Sequence, residues 1–241
     1  MNTRITKKGL AFIVLITVGV LIFHRHGRWI WTPIWHKIAG KRTVAEVLEK
    51  YGPSSEARLK PHFDKAGASY PPQELILLAF KQERLLELWA STKSGPKKIK
   101  TYPFTGYSGH LGPKLRKGDY QIPEGVYKID FLNPNSSYHL SMRVDYPNVY
   151  DQKMANDEGR TDLGGDIFIH GKSVTIGCIP IGDKAIEEIF CLVANVGMDA
   201  VKVIISPCDF RKSSLKTNRA NNWTVDLYQE LKSELKAFKE S

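Results

Sequence analysis

Short apolar runs recur along this chain, and Pro, Gly, Asn and Asp separate most of them. That punctuation limits the fold more than any other feature. Leu75-Ile76-Leu77-Leu78-Ala79-Phe80 and Leu85-Leu86-Glu87-Leu88-Trp89 flank the polar tetrad Lys81-Gln82-Glu83-Arg84. Leucine content alone would allow one helix over 74–92. The flanking prolines and the tetrad favour a β-hairpin. Further strands are expected at Lys98–Pro103, Gly125–Phe131, Tyr138–Val144, Asp166–His170 and Val201–Ser206. So many short strands point to a mainly β sandwich or barrel with a few flanking helices.

Three segments read as helices. Thr43 caps a helix whose apolar positions are Val44, Val47, Leu48 and Tyr51, and Gly52-Pro53 is read as its stop. Residues 52–72, with five Pro or Gly positions after Gly52, then read as a linker. Asp183 is the expected N-cap and Gly197 the C-cap of Lys184–Val196, with Ile186, Ile189, Phe190, Val193 and Val196 on one face. Trp223–Phe238 places Leu227, Tyr228, Leu231, Leu235 and Phe238 in a stripe that suits packing onto the domain.

The amino terminus carries Arg4, Lys7 and Lys8 before an apolar run over 9–23, followed by basic residues and by Trp29, Trp31 and Trp35. A basic flank before an apolar run reads as an export signal or a membrane anchor. The run is short of the ~20 residues of a spanning helix. No small-x-small cleavage pattern follows it, which favours an uncleaved signal anchor over a cleaved signal peptide. The expected division is an anchor at 1–30, a linker with a short helix at 31–70, a catalytic domain at 71–207 and a helical extension at 208–241.

The net charge is +10, which suits a polyanionic environment. No helix-turn-helix, zinc-finger or aromatic RNA-binding signature accompanies it, so a nucleic-acid partner is not expected. Anionic cell wall or lipid head groups fit the charge as well. The three cysteines, Cys178, Cys191 and Cys208, include no Cys-x-x-Cys, and no metal is expected. Cys191 and Cys208 read as two buried reduced thiols rather than a disulfide.

The chemistry is concentrated in Gly165–Pro180. Ile167, Phe168 and Ile169 form a short buried strand that ends at His170. A small polar turn with Gly171 and Gly177 brings up Cys178, and Ile179-Pro180 closes it. A thiol attacks as its thiolate, and a nearby imidazole can take the proton and lower the thiol pKa. Gly177 leaves the N–H groups around Cys178 uncovered for an oxyanion hole. Most free cysteines are inert core residues, and Cys191 reads as one; the Gly-flanked turn and the upstream His set Cys178 apart.

His-Gly followed by Thr-x-Gly-Cys resembles the active-site signature of the L,D-transpeptidases, the YkuD-type cysteine enzymes of peptidoglycan. Gly112-Pro113-Lys114…Gly118-Asp119…Ile122-Pro123-Glu124-Gly125-Val126-Tyr127 resembles the same family's Gly-Pro-Lys…Gly-Asp…Thr-Pro-x-Gly-x-Tyr segment. The resemblance extends from about Pro71 to about Pro207. It is nearest the branch with a short His-to-Cys interval, which holds enzymes that cut peptidoglycan bonds as well as make them. Arg58-Leu59-x-Pro61-x-Phe63 is also similar to this branch.

The resemblance implies an L,D-transpeptidase-like β-sandwich or barrel that begins with a hairpin. It implies a periplasm-facing acyltransferase, held at the inner membrane or secreted after signal cleavage, that needs no cofactor. Its partners would be peptidoglycan stem peptides and, for one outcome, a wall-linked lipoprotein. Cys178 is the nucleophile and His170 the proton donor and acceptor. Backbone N–H groups at Gly177 and Cys178 are the oxyanion donors, and Gly171 shapes the backbone after the base. The family orients its base with a backbone carbonyl, and Asp166 is the weaker alternative here. Ser173, Thr175, Tyr138 and His139 are candidates to line the cleft, although a structural role is the better reading of His139. Many family members have Arg two residues after the nucleophile, where this chain has Pro180. Arg143, Lys172 and Arg160 are candidates to hold a substrate carboxylate in its place. The rival readings are an L,D-carboxypeptidase or murein–lipoprotein peptide hydrolase and, more remotely, an inactive wall-binding module.

Overall fold

The computed structural model describes residues 15–20, 23, 40–215 and 222–239. Two compact units are present, Met1–Arg42 and Thr43–Ser241. In the first, residues 15–20 and 23 are helical. Most of the apolar run over 9–23 lies outside the described residues, and no helix among the described residues is long and apolar enough to cross a membrane.

The second unit is built on one eight-stranded mixed sheet, ordered β3-β2-β1-β8-β4-β5-β6-β7. The strands are β1 (Leu75–Phe80), β2 (Leu85–Ala90), β3 (Lys97–Pro103), β4 (Gly125–Asn133), β5 (Ser141–Val144), β6 (Phe168–His170), β7 (Ile179–Pro180) and β8 (Val201–Ser206). The helices are α1 (Val44–Ala66), α2 (Val149–Asp157), α3 (Asp183–Val196) and α4 (Asn222–Leu235). Among the described residues β3 and β7 are the edge strands, and the Thr105 N–H just after β3 reaches the Pro180 carbonyl of β7 at 2.9 Å, so the sheet curls into a half-barrel without a continuous closing ladder. The mainly β character with flanking helices is as expected, and of the sandwich or barrel expected the structure has a half-barrel.

The hairpin is confirmed, with β1 antiparallel to β2 and parallel to β8. Every residue of β1 is buried, because helices cover both of its faces. Leu75, Leu77 and Ala79 pack into the main core with Leu59 and Phe63 of α1 and Ile186, Ile189 and Phe190 of α3. Ile76, Leu78 and Phe80 meet Leu227, Leu231 and Leu235 of α4 on the other side. A strand covered on both faces loses its alternation and reads as a continuous apolar run.

The first helix departs from expectation. Thr43 caps it as predicted, in a capping box with Glu46, but it continues through Pro53 and Pro61 to Gly67. Each proline removes an N–H donor. Burial of Leu59 and Phe63, together with the Arg58 ion pairs to Glu187 and Glu188 of α3 at 3.3 and 2.7 Å, outweighs that cost. Residues 52–66 are therefore part of the domain core and not a linker. The helix α2 is an addition, capped by an Asn148–Asp151 box. Cys191 and Cys208 are free and buried, as expected.

Candidate active site

Strand β6 pairs antiparallel with β5, Ser141 opposite His170, and parallel with β7, His170 opposite Pro180. The connection from β6 to β7 is the 171–178 loop, which returns Cys178 beside Phe168. Cys178 Sγ accepts the Phe168 N–H at 3.4 Å and lies 3.6 Å from the Asp166 carbonyl. The turn is closed by Thr175, whose Oγ1 accepts the Cys178 N–H at 2.9 Å and donates to the Cys178 carbonyl at 2.8 Å. Gly177 has φ +122°, and a Cβ there would lie 3.1 Å from the Gln121 carbonyl. A side chain is excluded from this position by both conformation and space.

His170 is 1 % exposed. Its Nδ1 is 2.5 Å from the Gly171 carbonyl, which can only accept, so Nδ1 carries the proton and Nε2 keeps its lone pair. His170 is thus oriented by a backbone carbonyl, and Asp166 makes no hydrogen bond to it. The Tyr138 ring lies against the imidazole, centroids 4.7 Å apart. Gly171 is fixed by packing, since a Cβ would meet the Tyr138 carbonyl at 2.6 Å and Asp183 Oδ1 at 2.7 Å.

No hydrogen bond joins His170 to Cys178. Burial pushes the Cys178 thiol up; the Phe168 N–H opposes this, Asp166 adds to it, and the Lys114 ammonium opposes it. Burial holds His170 below its ordinary value, opposed by the bond to Gly171. Both shifts favour the neutral forms: a desolvated thiol resists ionising and a desolvated imidazole resists protonation.

The oxyanion assignment also changes. The Cys178 N–H is taken by Thr175, whereas the Gly177 N–H makes no hydrogen bond among the described residues. Thr175 therefore shapes the turn rather than the cleft wall. Ser173 is exposed, and its carbonyl sits where a side chain on Gly106 would be. His139 faces away, with Nε2 2.8 Å from Glu187 Oε1 and its ring edge-on to Tyr51. The candidates for holding a carboxylate are engaged already: Arg143 with Asp130 at 2.8 Å, Arg160 with Glu158 at 2.6 Å, and Lys172 with Asp183. Pro180 is buried, and its carbonyl accepts the Thr105 N–H at 2.9 Å.

The upstream motif forms the opposite wall. Asp119 takes the Lys114 ammonium at 2.5 Å and the N–H groups of Leu115, Arg116 and Gln121 at 2.9, 3.0 and 3.1 Å. This knot sets the Gln121 carbonyl against Gly177 and brings the Lys114 charge to bear on Cys178. Lys114 and Gln121 stood inside a recognised motif, yet nothing in their spacing marked them as neighbours of Cys178. Exposed Tyr120, Val174 and Ile176 lie on the upstream-motif loop and the 171–178 loop, and exposed Tyr138 lies on the β4–β5 connection, so these outer surfaces are partly apolar. Among the described residues no group of three or more His, Cys, Asp or Glu side chains converges as metal ligands would.

The family model for the YkuD L,D-transpeptidase catalytic domain matches residues 75–205. YafK of Escherichia coli (strain K12), which bears the name putative L,D-transpeptidase, is 33% identical over 158 residues, covering 64% of this chain and 61% of YafK. The chain thus spans less than two thirds of that relative's length. Among solved structures, the helical cell shape determining protein Pgp2 of Campylobacter jejuni is 24% identical, covers 56% of this chain and 48% of its own, and superposes with a TM-score of 0.46. Bd1075 of Bdellovibrio bacteriovorus is 17% identical, with coverage of 70% and 57% and a TM-score of 0.43.

Proposed function

Because the chain belongs to the YkuD L,D-transpeptidase catalytic domain family, we propose that it is a cysteine acyltransferase acting on peptidoglycan stem peptides. The observation that carries this reading is the pairing of roles at one sheet edge. Cys178 sits on a glycine turn beside a Gly177 N–H that is unengaged among the described residues, and the bond from Nδ1 to Gly171 leaves Nε2 of His170 to accept a proton.

Since burial favours the neutral thiol and the neutral imidazole, proton transfer accompanies attack in this reading. Cys178 Sγ bonds to the carbonyl carbon of the diamino acid at position three while His170 Nε2 takes the thiol proton. The carbonyl oxygen gains the negative charge and accepts from the Gly177 N–H. On collapse the C–N bond breaks and the imidazolium returns the proton to the departing amine, leaving a thioester. An incoming nucleophile then gives its proton to His170 and attacks the thioester, and as the C–S bond breaks the imidazolium returns the proton to the Cys178 sulfur. An amine on a neighbouring stem yields a 3–3 cross-link, the lysine of a wall-linked lipoprotein yields attachment, and water yields hydrolysis.

The same reading puts the domain on the periplasmic side of the inner membrane, tethered through 9–23. The basic flank and the apolar run support it, and so does the exposure of Leu15, Ile16, Val18, Val20 and Phe23. Isolated sacculi digested after incubation with the protein, and read by mass spectrometry, test the activity. New 3–3 cross-links, or loss of stem residues or of attached lipoprotein, are expected with the intact protein and not with Cys178→Ala. An unchanged digest would support a wall-binding module instead.

A further inference from the structure

The peptide unit between Gly171 and Lys172 is held from both sides. Its carbonyl accepts from His170 Nδ1 at 2.5 Å, and its N–H donates to Asp183 Oδ1 at 2.9 Å. In a trans peptide the C=O and N–H point in opposite directions, so this single amide spans the gap between an imidazole and a carboxylate. Gly171 admits the carboxylate, because a Cβ there would lie 2.7 Å from Asp183 Oδ1. Lys172 is held at φ +60°, a conformation that residues with side chains rarely adopt without local support. That support is visible: the Lys172 ammonium pairs with Asp183 Oδ2, and the Thr105 hydroxyl donates to the Lys172 carbonyl.

Asp183 does not cap α3, as the sequence suggested it would. The N-cap is Gly182, which makes no side-chain hydrogen bond, and the Asp183 carboxylate is turned toward the loop. We propose that Asp183 is a positioning residue for His170 and acts through the Gly171–Lys172 peptide. Its carboxylate binds the amide N–H and polarises the amide. The carbonyl so fixed keeps His170 in the Nδ1–H tautomer with Nε2 free to accept a proton.

A hydrogen bond to an ionised partner is about twice as strong as one between neutral groups, and bonds in series polarise one another. Burial alone would raise the Asp183 carboxyl, but the bonds to the Lys172 ammonium and N–H hold it below its ordinary value, with His139 and the Lys172 charge adding to the effect. The carboxylate is therefore present wherever His170 is the neutral base. His139 also pairs with Glu187, and Tyr138 faces His170 from the other side. The inference rests on His170 being the base of the proposed reaction, but its test needs no substrate.

The full chain, labelled with 15N-histidine, is followed by NMR at neutral pH, with the His170 signals assigned by their loss in His170→Gln. The intact protein is expected to show a single Nδ1–H tautomer with slow proton exchange. Asp183→Asn keeps an acceptor oxygen and removes the charge, so Nδ1–H exchange should quicken about fivefold, the difference between a charged and a neutral partner. Asp183→Ser, which shortens the acceptor, should add the second tautomer. Unchanged His170 signals alongside a lowered melting temperature would overturn the proposal and leave Asp183 a purely structural role. Failure of both variants to fold would also overturn it, because a positioning residue does not carry the fold. Altered His170 signals together with inert sacculi would count against the proposed function alone.

Discussion

Burial acts in opposite directions on the two groups proposed to react, raising the Cys178 thiol and lowering the His170 imidazole. A thiolate–imidazolium pair would give a reactive thiol well below the free value of about 8.5. The neutral pair predicts the reverse. Iodoacetamide labelling across pH, quantified on the peptide containing Cys178, should give a midpoint above the free value, and His170→Ala should leave that midpoint in place while removing turnover. A midpoint near neutrality that rises in His170→Ala would restore the ion pair. While the proposed roles of Cys178 and His170 came mostly from the family resemblance, the turn that carries Cys178 and the strand end that carries His170 were legible from local pattern. The Thr175 clamp on the Cys178 N–H, the field from Lys114 and the reach of Asp183 were not, because each depends on where a loop returns in space.

Among the elements, the 109–124 loop is anchored by an ion pair with no solvent exposure on either side chain. Lys81 Nζ lies 2.8 Å from Glu124 Oε1, and both side chains are 0% exposed. The same ammonium donates to the Gly112 and Ile122 carbonyls at 2.7 and 2.9 Å, and Tyr228 of α4 donates to Glu124 Oε2 at 2.7 Å. Lys81→Met strands the carboxylate, which costs about 3–5 kcal/mol. A thermal melt should show that loss, and adding Glu124→Gln should return much of it; additive losses would mean the pair is not coupled. A second expectation concerns Asp151, whose pKa burial raises to about 6, against the lowering effect of the Asn148 N–H. A carboxyl raised above its unfolded value near 3.9 favours the folded state most when protonated, so its contribution is lost as pH rises from about 4 through 6. Melts at pH 5 and pH 7 should show the intact protein losing on the order of 1 kcal/mol across that interval relative to Asp151→Asn. Equal losses in both proteins would remove the assignment.

The same elements show what a sequence reveals and what it hides. The hairpin was readable from its polar tetrad, although full burial of β1 erased the alternation that marks a half-exposed strand. The passage of α1 through Pro53 and Pro61 was not readable, because the burial of Leu59 and Phe63 that compensates is tertiary. The α2 cap, Asn148 with Asp151, lacks the usual Ser or Thr paired with Glu or Gln. The open edges of the sheet are a matter of pairing order, on which strand spacing is silent.

At the scale of the whole molecule, helices cover both faces of the sheet and leave the β6–β7 edge to carry Cys178 and His170. The C-terminal helix α4 seals the face opposite α1 and α3, so removing residues after 221 should expose Ile76, Leu78 and Phe80 rather than trim a dispensable tail. The basic flank and apolar run over 9–23 lead to the expectation that the mature protein keeps its first residues, and N-terminal sequencing of protein from membranes checks it. A mature start between 24 and 35 would replace the anchor with a cleaved signal. The central claim is a thioester on Cys178. Intact-protein and peptide mass spectrometry after brief incubation with purified stem peptides tests it most directly. An adduct with the mass of the acyl donor, mapped to Cys178, released by hydroxylamine and missing from Cys178→Ala, is the predicted result. Turnover of stem peptides by Cys178→Ala would contradict it.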